Sequence, residues 1–421
     1  MPSAFDLLAL LLVLTAGFGW LNHVFIRLPH TIGLLVMGLA ASLVLVGVEL
    51  AIPDVSLYES LAALLRQIDF RETVLNGMLA FLLFAGALHV DLSTLRSRAV
   101  PVGVMATVGV LISTAVVGVG VWLASAALGT PVPLPWALVF GALVSPTDPV
   151  AVLSTLKSVR VPETLEVDMA GESLFNDGVG VVVFTVLLAI ATGAGEGDLH
   201  PVRIARLFLV EALGGALFGL AAGYLAFRAM RRIDNYPIEV LISLALVTGA
   251  YSLAGRLHLS GPIAVVVAGI LIGNKGPAVA MSDLTQRYLF GFWQLIDDIL
   301  NSVLFLLIGL EVLVLRFAPV FGWVMALSVP LALVARCLAV AIPVAVLRRW
   351  HAFVPGTVAV LTWGGLRGGI SIALALSLPE VPEKAVILAA TYAVVVFTIV
   401  VQGLSLRAVV RHASPPPVTP G

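Results

Sequence analysis

Thirteen apolar stretches, separated by short polar gaps, run from Ala4 to Val410 and leave this chain few ways to fold. A helix of about 20 residues spans the roughly 30 Å hydrocarbon core of a bilayer. The stretches are Ala4–Ile26, Pro29–Leu50, Thr73–Val90, Ala99–Leu128, Pro133–Leu156, Asp168–Thr192, Ala205–Met230, Pro237–Ala254, Gly261–Gly273, Phe292–Val314, Val320–Leu347, Phe353–Leu378 and Ala385–Val410. The ninth is short for a crossing and is open to a re-entrant reading. Mean hydropathy is +1.10 and only 11% of residues are charged, against about 25% in a soluble domain. The expected fold class is an all-α membrane protein of about 13 transmembrane helices. The first stretch has Asp6 near its start and no basic region before it, so it reads as a retained span, not a cleaved leader.

The same figures exclude several functions. A formal net charge of −1 argues against a nucleic-acid partner, and the single cysteine, Cys337, excludes a disulfide framework or a Cys-ligated metal. The longest polar gaps, Ala51–Glu72, Asn274–Phe290 and Arg411–Gly421, are too short for a soluble domain. Activity must therefore reside within the helices. With the N-terminus outside, the inside segments hold fourteen basic residues and the outside segments seven, which favours an N-out, C-in orientation.

Charge at membrane depth costs roughly 2.5–3.5 kcal/mol per residue and marks either a site or one half of a pair. Asp148, Glu172, Asp177, Arg336 and Arg367 are the deep ones, while Asp297, Asp298 and Glu311 lie nearer the ends of their span. Two of the spans carry helix breakers beside such charges. In Ser145-Pro146-Thr147-Asp148-Pro149 the prolines remove N–H donors and clash one turn back. In Trp363-Gly364-Gly365-Leu366-Arg367-Gly368-Gly369, four glycines surround an arginine. Unwound backbone at this depth survives only where protein covers it or where it lines a cavity. The breaks fall in the fifth and twelfth spans, an odd offset, which predicts two inverted-topology six-helix repeats with crossed discontinuous helices.

The sixth span carries Gly171-Glu172-Ser173-Leu174-Phe175-Asn176-Asp177. Ser173 and Asp177 share one helical stripe and offer hard oxygen ligands, while Glu172 can turn toward Arg336 or Arg367. One buried carboxylate can hold a proton or a small dehydrated cation but not both, so the two compete for the same oxygens. Reorientation only of the occupied site then makes exchange obligatory.

Three motifs, Ser145–Val152, Gly171–Asp177 and Gly364–Gly368, occur in order on the expected spans. With them the chain resembles the monovalent cation/proton antiporters of the NhaP/NHE type, prokaryotic members of the cation:proton antiporter superfamily. The resemblance implies exchange of Na⁺ or Li⁺ for H⁺ across a cell membrane, with Asp177 as the carboxylate that binds cation or proton. It also implies Thr147, Asp148 and Asn176 around the site, and Na⁺ carried at Asp177, Ser173 and Thr147. Glu172, Arg336 and Arg367 are implied as structural ion pairs, without a cofactor. A homodimer is implied too, with the translocation core drawn mainly from 99–192 and 320–410, the remaining helices forming the dimerisation domain and 411–421 a short disordered tail. The third span departs from some relatives by placing Ala85 where they have a glutamate beside the ion site.

The rival classes are a K⁺/H⁺ antiporter on the same scaffold, an uncoupled cation channel and an intramembrane enzyme. No His-Glu-x-x-His or Gly-x-Ser-x-Gly motif falls in a span to support the last. His23, His30, His89, His200, His258, His351 and His412 lie mostly at span ends or in loops, where solvated interfacial positions are expected. Asp297, Asp298 and Asn301 form a polar turn whose expected role is helix-to-helix hydrogen bonding, with a vestibule role second.

Overall fold

The computed structural model describes residues 4–51, 72–148, 152, 161–193, 201–311 and 322–413. These form helices, with no strand among the described residues. In chain order they are α1 (Ala4–Leu21), α2 (His30–Ala51), α3 (Leu79–Leu88), α4 (Leu92–Ser97), α5 (Ala99–Ala127), α6 (Leu134–Leu143) and α7 (Glu163–Ala191). There follow α8 (Pro201–Met230), α9 (Tyr236–Arg256), α10 (Gly261–Ala280), α11 (Asp283–Glu311), α12 (Gly322–Leu347), α13 (Thr357–Trp363), α14 (Gly369–Leu376) and α15 (Pro382–Ala413). Ten of the described helices are long and apolar enough to cross a membrane. Many large apolar side chains face outward, among them Leu213, Leu217 and Leu225 on α8, as lipid contact requires. The chain is a multi-pass membrane protein.

The short ninth stretch is resolved in favour of a crossing length. Ser260 caps α10 by accepting from the Ile263 N–H at 3.4 Å, and the helix runs on past Gly273 to Ala280 through a wider final turn. Several expectations fall outside the described residues: Pro149, Val150 and Ala151 of the first motif, the tail from Ser414, and the basic residues Arg66, Arg71, Lys157, Arg160 and Arg316.

Packing divides the helices into two groups. In one, α8 and α9 pack on α10, α10 on α3, α3 on α11, and α11 on α1 and α2. In the other, α5 packs on α6 and α12, α6 on α7, and α12 and α14 on α15. The groups meet where α7 touches α3 and α10, and where α11 touches α14. This boundary places the charged segments of α7, α11 and the chain before α14 opposite one another.

Between apolar helices in lipid there is little hydrophobic drive, so close backbone approach has to supply the attraction. The contact of α2 with α11 shows how. A Cβ on Gly309 would sit 2.7 Å from the Leu35 carbonyl oxygen and 2.8 Å from the Leu39 nitrogen. Ser42 closes the same contact, donating its hydroxyl to the carbonyls of Gly38 (2.8 Å) and Gly309 (3.0 Å). Gly309→Ala is expected to destabilise the protein by about 1–3 kcal/mol, the usual result of overpacking. A thermal unfolding curve in detergent measures it, and an unshifted midpoint would contradict this account of the contact.

Candidate functional site

Both predicted helix breaks are present. After α6 ends at Leu143, residues 144–148 are non-helical, and between α13 and α14 residues 364–368 are non-helical as well. The two unwound chains satisfy each other. The Asp148 N–H donates to the Leu366 carbonyl at 2.8 Å. The Arg367 guanidinium, buried at 1% exposure, donates through Nη1 to the carbonyls of Ser145 (2.6 Å) and Pro146 (2.9 Å). Its own backbone N–H donates to Thr398 Oγ1 at 3.1 Å. Glycine is required where the two unwound segments touch, because a Cβ on Gly368 would collide with the Asp148 carboxylate.

Beside this crossing lies the polar turn of α7. Thr147 Oγ1 and Ser173 Oγ are 2.9 Å apart, and Asn176 Nδ2 donates to Thr147 Oγ1 at 2.8 Å. Asn176 Oδ1 accepts from the Thr147 N–H at 3.3 Å. The Asn176 amide is therefore consumed in holding the broken chain against α7. Asp177, 8% exposed, faces the same space and makes no hydrogen bond or ion pair among the described residues. Asp148 is its acidic neighbour.

Thr147, Asp148, Ser173 and Asp177 line a cavity of about 560 Å³ at the boundary of the two helix groups. Asp148, Asp177, Asp297 and Asp298 line it, while no described lysine or arginine does. Low-dielectric walls bearing one sign of charge concentrate counter-ions, here cations. Ala85 lines the wall too, as a methyl group.

Each buried guanidinium is engaged elsewhere. Glu172 pairs with Arg336 and not with Arg367: Nη2 reaches Oε2 at 2.8 Å, Nη1 contacts Oε1, and Nε donates to the Leu361 carbonyl at 3.1 Å. Arg367 serves the unwound backbone instead, which no pairing rule based on charge alone would have selected. A further pair was missed by the sequence reading. Arg98, one of the basic residues counted between spans, donates to both Asp168 oxygens at 2.7 and 2.5 Å, and to the Ala352 carbonyl at 2.8 Å. The available signal was the Asp168–Glu172 spacing of four, which puts both carboxylates on one face of α7.

The polar turn of α11 departs from its expected role. Asn301 bonds within its own helix, to the Asp297 carbonyl (2.9 Å) and carboxylate (3.1 Å), while Asp297, Asp298 and Asn301 all line the cavity. Two histidines read as solvated line it as well. His30 Nε2 is 2.9 Å from Ser302 Oγ, and His89 Nδ1 is 2.8 Å from the Ala85 carbonyl.

Removing one member of a buried pair strands the other charge, at a cost of roughly 3–5 kcal/mol. Glu172→Ala is therefore expected to lower the unfolding midpoint sharply, while Asp177→Asn, which strands nothing, leaves it near the parent value. Melting curves of both variants in detergent decide this. Equal midpoints would remove the distinction between a structural and a solvent-facing carboxylate.

Comparison with known proteins agrees with this geometry. The family model described as sodium/hydrogen exchanger, transmembrane, matches residues 9–412. The chain is 49% identical to the Na(+)/H(+) antiporter NhaP of Pseudomonas aeruginosa over 97% of its own length and 96% of that protein. It is 36% identical to the Na(+)/H(+) antiporter NhaH of Halobacillus aidingensis, covering 88% of this chain and 91% of the relative. Among solved structures, the sodium proton antiporter MjNhaP1 of Methanocaldococcus jannaschii superposes with a TM-score of 0.75 at 18% identity, covering 96% of this chain and 97% of that one. That likeness shows a shared fold. With two broken chains crossing beside an acidic cavity, and a family match over nearly its whole length, this chain belongs to the transmembrane sodium/hydrogen exchanger family.

Proposed function

We propose that the protein is a secondary active antiporter that exchanges Na⁺, or Li⁺, for H⁺ at Asp177. The observation that carries the reading is the state of that carboxylate. It is nine-tenths buried, opens onto the acidic cavity, and has no hydrogen bond or ion pair among the described residues. Every buried arginine nearby is engaged by another group, so none neutralises it. A buried carboxylate in that position takes up a proton or a small cation, and each excludes the other. The Thr147 and Ser173 hydroxyls, 2.9 Å apart, add hard oxygens of the kind such cations take.

In this reading Asp177 is the carboxylate that alternates, and Asn176 contributes an amide already committed to Thr147. One titrating carboxylate per cation gives a 1:1, electroneutral cycle. Alternating access takes place at the boundary between the two helix groups, with the core helices of 99–192 and 320–410 moving against the rest. Thirteen crossings in two inverted repeats, an outside N-terminus, the inner membrane and a homodimer complete the proposal.

The test is flux in proteoliposomes supplied in turn with Na⁺, Li⁺ and K⁺. Na⁺- or Li⁺-driven proton movement is expected in the parent, and none in Asp177→Asn; normal exchange in that variant would sink the assignment. Stoichiometry is read by clamping the membrane potential. Each uncompensated charge couples to about 2.3 kcal/mol per 100 mV. The equilibrium cation gradient is expected to ignore the potential, and a gradient that follows it would end the single-carboxylate mechanism.

A further inference from the structure

A second cavity shares no lining residue with the acidic one and lies against α13. Its volume is about 590 Å³, and no charged side chain lines it. Cys337 and Val344 of α12, Phe353 and Thr357 before and on α13, Trp363 at the end of α13 and Val409 of α15 form its walls. Cys337 and Ala359, which also lines it, are exposed, so the groove opens outward to the lipid.

The walls are held by groups already engaged. The short α13 packs on α12 and on the last part of α15, and Trp363 Nε1 donates to Ser405 Oγ at 2.8 Å. The Arg98 guanidinium, bound to Asp168, sits 4.8 Å above the Phe353 ring. From Cys337 to Val344 the α12 wall runs about 10 Å at 1.5 Å per residue, a third of the hydrocarbon thickness. A void of this kind forfeits the dispersion contacts of its lining unless a chain of methylenes fills it.

Charge gathers at one end of the groove. The Arg348 N–H donates to the Val344 carbonyl at 2.9 Å, so the α12 helical turn carries Arg348 onto the stripe of Val344. Arg348, Arg349 and, on α15, Arg411 are exposed and form no ion pair among the described residues. No Asp or Glu occurs in residues 337–363 or 403–413. Trp350, 69% exposed, stands beside the arginine pair, as aromatic side chains do at the headgroup level. An excess of basic residues on one side of the membrane needs only the orientation rule. An apolar groove of acyl-chain character running up to unpaired guanidiniums needs a ligand with both properties.

We propose that this groove is a binding site for one anionic phospholipid. An acyl chain lies along α13 between Cys337, Val344 and Trp363, and Arg348 and Arg349 hold the phosphate, for which guanidinium is the fitting donor. The lipid covers the open side of α13, the half-helix that leads into the unwound segment 364–368, and so stabilises the closed packing of α12, α13 and α15. The site is separate from the ion cavity and does not depend on the exchange reading.

Cys337 is the single cysteine of the chain and lines the groove, so its thiol reports occupancy directly. Full-length protein in detergent is treated with N-ethylmaleimide, with phosphatidylglycerol or with phosphatidylcholine of the same acyl chains. Phosphatidylglycerol is expected to slow modification about tenfold at ten times its Kd and to raise the unfolding midpoint by a few degrees. Phosphatidylcholine at the same concentration is expected to do neither. Arg348→Gln with Arg349→Gln is expected to abolish both effects while keeping the lipid-free midpoint, and Ala359→Phe, which fills the groove, to abolish the stabilisation. Equal protection by both lipids, or protection by phosphatidylglycerol that survives the arginine double variant, would overturn the proposal. So would equal stabilisation by inorganic phosphate alone, which would mark a free-anion site. A change of oligomeric size in the Ala359→Phe variant would give the face to a second copy, and lipid-independent protection lost on removing residues 414–421 would give it to the chain's own tail; either defeats the lipid assignment.

Discussion

Backbone that leaves the helix inside a membrane loses its hydrogen bonds where water cannot replace them, and the rest of this structure depends on how that loss is met. Residues 144–148 and 364–368 unwind at facing positions. The Arg367 side chain answers the carbonyls of Ser145 and Pro146, while the Asp148 N–H meets the Leu366 carbonyl. A single buried cation thus does the work that an intact helical turn would have done. The consequence is chemical as well as structural: side chains around a helix break can turn toward a cavity, which an unbroken apolar helix has no reason to line.

Local electrostatics follow from the same arrangement. Three guanidiniums are buried among the described residues, and each is fixed by geometry to a different partner: Arg98 to Asp168, Arg336 to Glu172, and Arg367 to backbone. Asp168, Glu172 and Asp177 lie within three turns of α7, yet only the last has no such partner. Pairing two of the carboxylates stiffens the helix against α5 and α12. The contrast leaves Asp177 as the acidic group of the three with no ion-pair partner among the described residues.

The cavity lies on the boundary between the two helix groups. Small residues keep the groups internally tight, as at Gly309 against Leu35 and Leu39. The boundary itself carries the acidic groups Asp148, Asp177, Asp297 and Asp298. Tight packing within each group and polar surfaces between them are what a rigid-body shift along that boundary needs.

The sequence by itself determined the membrane class, the places where helices break, and the motif residues that gather at the site. Each of these is a local property: apolar run length, proline and glycine beside a charge, and helical spacing within a few turns. Thr147, Ser173, Asn176 and Asp177 were legible for that reason. Only the tertiary structure decided that Arg336, not Arg367, pairs with Glu172, and that Arg98 reaches Asp168 across 70 residues of chain. It also moved His30, His89 and the Asp297–Asn301 turn from interface and packing positions to a cavity wall. A charge in a membrane signals that it needs a partner. Which partner it finds is settled by how helices far apart in the chain are brought to face one another.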